Sequence, residues 1–146
     1  MEEVSEILCL PAGTECYGIE FPYVVEICRE FRIFPVPCLQ KPYCGVANYK
    51  GMIIPAAELI NGAWEQRKNG TTGCVLVVVR HQKYWLGILT CKEPFILNLL
   101  DADRIRSEVT DRHSVYWMEK ALYEYGSLLC AVLDLEKTVE GLILQP

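Results

Sequence analysis

The chain has 146 residues, 51% apolar and 23% charged, with 14 basic against 19 acidic side chains for a net charge of −5. That is too apolar for a disordered polypeptide, and 8 prolines and 10 glycines fit neither collagen nor a flexible linker. The acidic balance supplies no basic footprint for phosphates, so nucleic acid is not an expected partner. Apolar runs such as residues 74–79 fall far short of the roughly 20 needed to cross a bilayer. The N-terminus is acidic (Met1, Glu2, Glu3) where a secretory signal would be basic. The expectation is a soluble cytoplasmic protein, with no direct membrane insertion, whose residues 1–146 form one domain able to bury a core without staples.

Short apolar stretches separated by turn residues dominate the chain, the pattern of an all-β protein. Residues 7–11 read as a strand and Gly13-Thr14 as the turn after it. Tyr17, Ile19 and Phe21 alternate with Gly18 and Glu20, the period-2 signature of a strand with one buried face. Pro22 interrupts, and Val24, Val25 and Ile27 resume an apolar segment that carries Glu26. Pro35 and Pro37 limit the stretch after Phe31 and Ile33 to an edge strand or an extended loop. Residues 45–49 and 52–57 form the clearest hairpin, with Lys50-Gly51 at its tip and glycine available for positive φ. Residues 58–66 read as a short connection with room for one helical turn, and 68–73 (KNGTTG) as the strongest turn cluster.

A second hairpin follows, 74–80 and 84–90, joined at His81-Gln82-Lys83. Residues 95–100 read as a strand, the charged and aperiodic 101–114 as a surface loop, and 115–122 as a strand. Tyr125-Gly126 turns into the apolar strand 127–133. Asp134 is placed to cap a final helix on which Leu135, Val139 and Leu142 fall at i, i+4 and i+7. Nine or ten short hairpin-connected strands must hide their edges, which favours closure into barrels, with a sandwich as the alternative.

The chemistry-bearing residues are sparse. Eight cysteines lie at 9, 16, 28, 38, 44, 74, 91 and 130, none spaced C-x-x-C, with only His81 and His113 to complete a zinc site. In a reducing compartment they are free thiols, and their apolar neighbours make them small core fillers. A thiol-dependent enzyme or redox sensor built on one of them is the alternative. Glycines occur singly, never as a phosphate loop, and no HExxH, GxSxG or calcium-loop pattern is present. The chain therefore reads as non-enzymatic, with no catalytic residue, no cofactor and no metal expected. Two charges stand out inside apolar segments: Glu26, between Val25 and Ile27, and Lys50, at the hairpin tip.

Three blocks carry a family resemblance. Tyr17, Ile19, Val24, Glu26 and Ile27 match the Y-x-I-x-x-x-x-V-x-E-I opening of CheW-like domains. Gly45, Val46, Asn48, Lys50, Gly51, Ile53, Pro55 and Leu59 resemble that family's G-V-x-N-x-R-G-x-I-x-P-V-x-D-L. Gly126 through Leu133-Asp134-Leu135-Glu136-Lys137 is similar to its closing segment ending L-D-L-E-K. The resemblance implies two small five-stranded SH3-like β-barrels packed together, with a short C-terminal helix.

It also implies an adaptor that couples the cytoplasmic tip of a methyl-accepting chemoreceptor to the regulatory domain of a chemotaxis histidine kinase in signal transduction. By the resemblance, Val24, Glu26, Gly45, Asn48, Lys50 and Gly51 mark the partner-binding surface, with Glu26 and Lys50 as a charge pair. Departures from the pattern leave room for a CheW-like module serving a different two-component pathway. Lys50 replaces arginine, Glu58 replaces aspartate, residues 87–93 lack the aspartate of G-x-x-V-D-x-V, and Glu119 stands where glycine is common. Cys38 and Cys44 are the thiols expected to be most accessible.

Overall fold

The computed structural model describes residues 6–60, 64, 73–105 and 116–143. Twelve strands and one C-terminal helix make up the described chain. They are distributed over two compact units, Met1–Tyr23 with Pro94–Pro146, and Val24–Glu93.

The first unit is a six-stranded sheet in the order β10-β11-β12-β2-β1-β9. Its strands are β1 (Glu6–Ala12), β2 (Glu15–Glu20), β9 (Phe95–Asn98), β10 (Asp103–Ile105), β11 (Glu119–Tyr125) and β12 (Leu128–Leu133). Two hairpins, β1–β2 and β11–β12, are joined by a parallel pairing of β12 with β2, in which Cys130 lies opposite Cys16. Ile7, Cys9, Cys16, Leu97, Cys130 and Val132 form a buried cluster on this sheet. The helix α1 (Leu135–Ile143) forms where expected. Asp134 Oδ1 accepts from the Lys137 backbone N–H at 3.1 Å, and Leu135, Val139 and Leu142 are all buried.

The second unit is also a six-stranded sheet, in the order β3-β7-β8-β6-β5-β4. It comprises β3 (Val24–Cys28), β4 (Ile33–Phe34), β5 (Tyr43–Tyr49), β6 (Met52–Glu58), β7 (Val75–His81) and β8 (Tyr84–Thr90). β7 is buried along Val75–Val79 without alternation, the mark of a strand covered on both faces. Ile33, Ala47, Ile54, Ala56, Cys74, Leu76, Val78 and Leu89 form its buried cluster. Just past β3, Arg29 grips Glu93 with a forked pair of hydrogen bonds of 2.6 and 2.5 Å.

Several expectations need correction. Each sheet has six strands where five were expected, because each gains one very short edge strand, β10 in the first and β4 in the second. β10 lies inside the stretch read as a surface loop: charge masked a strand that needs only one edge to pair with, here β11. Residues 106–114 of that stretch lie outside the described residues. Phe21 leaves the β2 strand for a 3-10 turn, Phe21–Tyr23, since Pro22 cannot donate to a ladder. β9 ends at Asn98, whose Oδ1 accepts from Leu100 N–H at 3.0 Å and opens another 3-10 turn, Leu99–Asp101. The strand placed at 115–122 runs instead over Glu119–Tyr125, up to the turn at Gly126. β6 continues through Glu58, the first residue of the supposed connection; most of 58–73 beyond it lies outside the described residues. Among the described residues, no helix is long and apolar enough to cross a membrane.

Candidate functional site

The β5–β6 hairpin of the second unit is built around its turn. Lys50 (φ 49°) and Gly51 (φ 87°) both adopt positive φ between Tyr49 and Met52, which face each other in the ladder. Two such residues in sequence give the turn whose twist matches the strands it joins. The non-glycine Lys50 is held there by its neighbours: Asn48 Oδ1 accepts from the Gly51 backbone N–H at 2.8 Å, an Asx-type closure. Lys50 is thus displayed at the tip, its side chain largely exposed.

Gly45 serves the same hairpin from its other end. It sits at an irregularity in the β5–β6 register with φ 151°, and β4 crosses it closely. A Cβ there would lie 2.4 Å from the Phe34 carbonyl oxygen and 2.7 Å from Ile33 Cγ2. Only glycine lets β4 pair against β5 at this point.

Glu26 arrives from β3. A register shift between Val24 and Glu26 places them opposite consecutive β7 residues, Val79 and Val78, and leaves Val25 without a ladder partner and 41% exposed. Glu26 Oε1 accepts from the Tyr49 hydroxyl at 2.8 Å and lies 3.3 Å from Lys50 Nζ, while the Cys28 thiol stands 3.7 Å from Oε2. The Tyr49 hydroxyl first, and the Lys50 ammonium with it, hold the Glu26 carboxyl below the usual carboxylate range. The same contacts push the Lys50 ammonium and the Tyr49 phenol upward. At neutral pH the site therefore presents a carboxylate, a phenol and an ammonium.

The arrangement extends over aromatic rings. Lys50 Nζ lies 5.4 Å from the Tyr49 ring centre, and the Tyr49 and Trp85 rings are 6.0 Å apart. Arg80, opposite Trp85 in the β7–β8 ladder, lies 5.0 Å over the indole. The result is a partly exposed stripe of alternating charge and aromatic surface, suited to holding a partner.

Of the residues singled out by sequence, Glu26 and Lys50 come together; Asn48 and Gly51 set the turn that aims Lys50; Gly45 admits β4. Val24 is half-buried on β3 opposite Val79, one bulge away from Glu26. Sequence reasoning missed Tyr49, Trp85 and Arg80. Tyr49 was legible as an aromatic beside the turn, but nothing local points it at Glu26, 23 residues earlier.

Among the thiols, Cys38 is exposed as expected, whereas Cys44 is only half-buried, with Cys28 and Cys91 in the same class. Cys44 donates to the Ala56 carbonyl at 3.5 Å and, through burial and the nearby Glu58 charge, is pushed up to about 12. Cys9, Cys16, Cys74 and Cys130 are buried among apolar side chains, as core fillers would be.

A family model for the CheW-like domain matches residues 6–140. No curated protein sequence matches the chain. The fold is similar to that of the scaffolding protein TtCheW from Thermoanaerobacter tengcongensis, with TM-score 0.66, 16% identity and 90% of each chain covered.

Proposed function

Because the chain belongs to the CheW-like domain family, we propose that it is a non-enzymatic cytoplasmic scaffold of a chemotaxis pathway. In this reading it couples the cytoplasmic tip of a methyl-accepting chemoreceptor to the regulatory domain of a chemotaxis histidine kinase. The observation that carries the reading is the family match over residues 6–140. The similarity in fold to a protein described as a scaffold supports it. The Glu26–Tyr49–Lys50 cluster, continued by Trp85 and Arg80, is the partner-binding surface we assign within it. Exposed ion pairs contribute little to folding, so the value of this one lies in steering and in the choice of partner. A lysine in place of the usual arginine keeps the charge and gives up the planar fork, which favours a point-charge contact over a bidentate one.

Binding of the purified chain to a receptor-tip fragment and to the kinase regulatory domain, measured by calorimetry, tests the reading. Lys50→Glu sets like charges beside each other on this surface and is expected to weaken binding at least tenfold while the melting temperature stays within a degree or two. Absence of binding by folded wild-type protein to either partner overturns the proposed role. A parallel loss of binding and melting temperature would make Lys50 a structural residue and remove it from the surface.

A further inference from the structure

The β7–β8 ladder runs in register from His81↔Tyr84 out to Val75↔Thr90. One further step along that register sets Cys74 opposite Cys91, just outside the two strands. Directly opposed residues of an antiparallel pair have Cα atoms ~4.5–5.5 Å apart, inside the ~4.4–6.8 Å span that a disulfide requires. The side chains also converge: the Cys74 thiol lies 3.2 Å from Cys91 Sγ. We propose that Cys74 and Cys91 are a thiol-oxidation site, closing to a reversible intramolecular disulfide when a peroxide reaches the protein.

Access and geometry single out this pair from the other thiols. Cys74 is 3% exposed, while Cys91 is only partly covered, so an oxidant meets Cys91 first and finds the second thiol directly behind it. Cys44 packs against the same core, but its raised thiol stays protonated and makes a poor competitor. In the first unit, the Cys9, Cys16 and Cys130 sulfurs lie within 4.8 Å of one another. Cys9 and Cys130 approach to 3.6 Å, yet β2 runs between their strands. Two strand spacings separate their backbones, about 9.5 Å, too far for a disulfide. Cys16 and Cys130 do face each other across the β2–β12 ladder, but at 1% and 0% exposure no oxidant touches them.

The chemistry balances with hydrogen peroxide as the oxidant. The Cys91 thiolate attacks one peroxide oxygen, a sulfur–oxygen bond forms, the oxygen–oxygen bond breaks, and the departing hydroxide leaves as water with the thiol proton. Cys74 sulfur then attacks the Cys91 sulfenic acid; the sulfur–sulfur bond forms, the sulfur–oxygen bond breaks, and a second water leaves. Two thiols and one peroxide give one disulfide and two waters, and an added dithiol returns both thiols. The bond would staple the open end of the hairpin whose other half carries Arg80 and Trp85.

The test uses the full chain with Cys38→Ser, which removes the exposed thiol and with it cross-linking between molecules. After treatment with one equivalent of hydrogen peroxide, remaining thiols are alkylated in denaturant and the cysteines mapped by mass spectrometry. Cys74 and Cys91 are expected to escape alkylation together, in one linked peptide pair that dithiothreitol releases. Cys91→Ser should leave Cys74 fully alkylated. Because the mapping on the parent protein is decisive alone, a variant that fails to fold does not blunt the test. Alkylation of both residues after peroxide overturns the proposal, as does Cys91 carried to sulfinic acid beside a free Cys74.

Discussion

The Tyr49 hydroxyl reaches Oε1 of Glu26 at 2.8 Å although three strands, β7, β8 and β6, separate β5 from β3 in the sheet order. Across a flat sheet that distance would be about 19 Å, at ~4.8 Å per strand. The contact exists because the sheet curls until its β3 edge approaches β5. One buttoning hydrogen bond thus reports the closure of the second unit, and it places a carboxylate beside the ammonium of the turn.

That geometry predicts a common direction of effects on the Glu26 carboxyl. Tyr49→Phe and Lys50→Met should each raise its pKa, because the Tyr49 hydrogen bond and the Lys50 ammonium both depress it. The sign follows from the direction: a carboxyl lowered by folding keeps its contacts above the unfolded value, about 4.3 for glutamate, and loses them as pH falls through the lower folded value. Carbon-detected NMR titration of the Glu26 carboxyl reads this directly. An unchanged midpoint in Tyr49→Phe would mean that the bond does not form in solution.

The two glycines of the β5–β6 hairpin should respond differently to a methyl group. At Gly51 nothing lies within 4 Å of the added Cβ, so Gly51→Ala carries only the left-handed backbone cost, about 1 kcal/mol. At Gly45 the Cβ meets the backbone of Phe34, which cannot move without breaking the β4–β5 pairing. Gly45→Ala is expected to cost roughly 2–3 kcal/mol, or to release β4. Urea unfolding of both variants checks the ranking, and equal losses would show that β4 gives way freely.

In the first unit, the Tyr23 hydroxyl donates to Glu136 Oε1 at 3.0 Å. Burial first, then that bond and the nearby carboxylates, push the phenol up to about 12. A phenol with a raised folded value contributes stability that is complete below its unfolded pKa, about 10, and is lost as pH rises toward 12. Phenolate absorbance should show a late-ionising component to which Tyr23 contributes, and Tyr23→Phe should diminish it. An undiminished late component in the variant would assign it to other tyrosines.

Local grammar was legible from the residues alone. The Lys50-Gly51 tip, the Asp134 cap and the i, i+4, i+7 spacing of Leu135, Val139 and Leu142 depend on neighbours a few residues away, and each appears in the structure. The alternation expected at Tyr17 and Ile19 does not hold: Cys16, Gly18 and Ile19 are buried and Tyr17 is only half-buried, because β2 is a central strand paired on both edges. Motif order also carried the family, since the G-V-x-N-x-K-G and V-x-E-I segments keep their identities whatever lies between them. Tertiary structure alone decided who meets whom across strands. β10 hid in a charged stretch because a three-residue edge strand draws its stability from β11, not from its own composition. Tyr49 and Glu26 are 23 residues apart in sequence, and Cys74 and Cys91 are 17 apart; curl and register bring the first pair to hydrogen-bonding distance and the second to 3.2 Å. Such meetings are set by long-range hydrogen-bond ladders, and a periodicity read along one strand contains no term for the strand beside it.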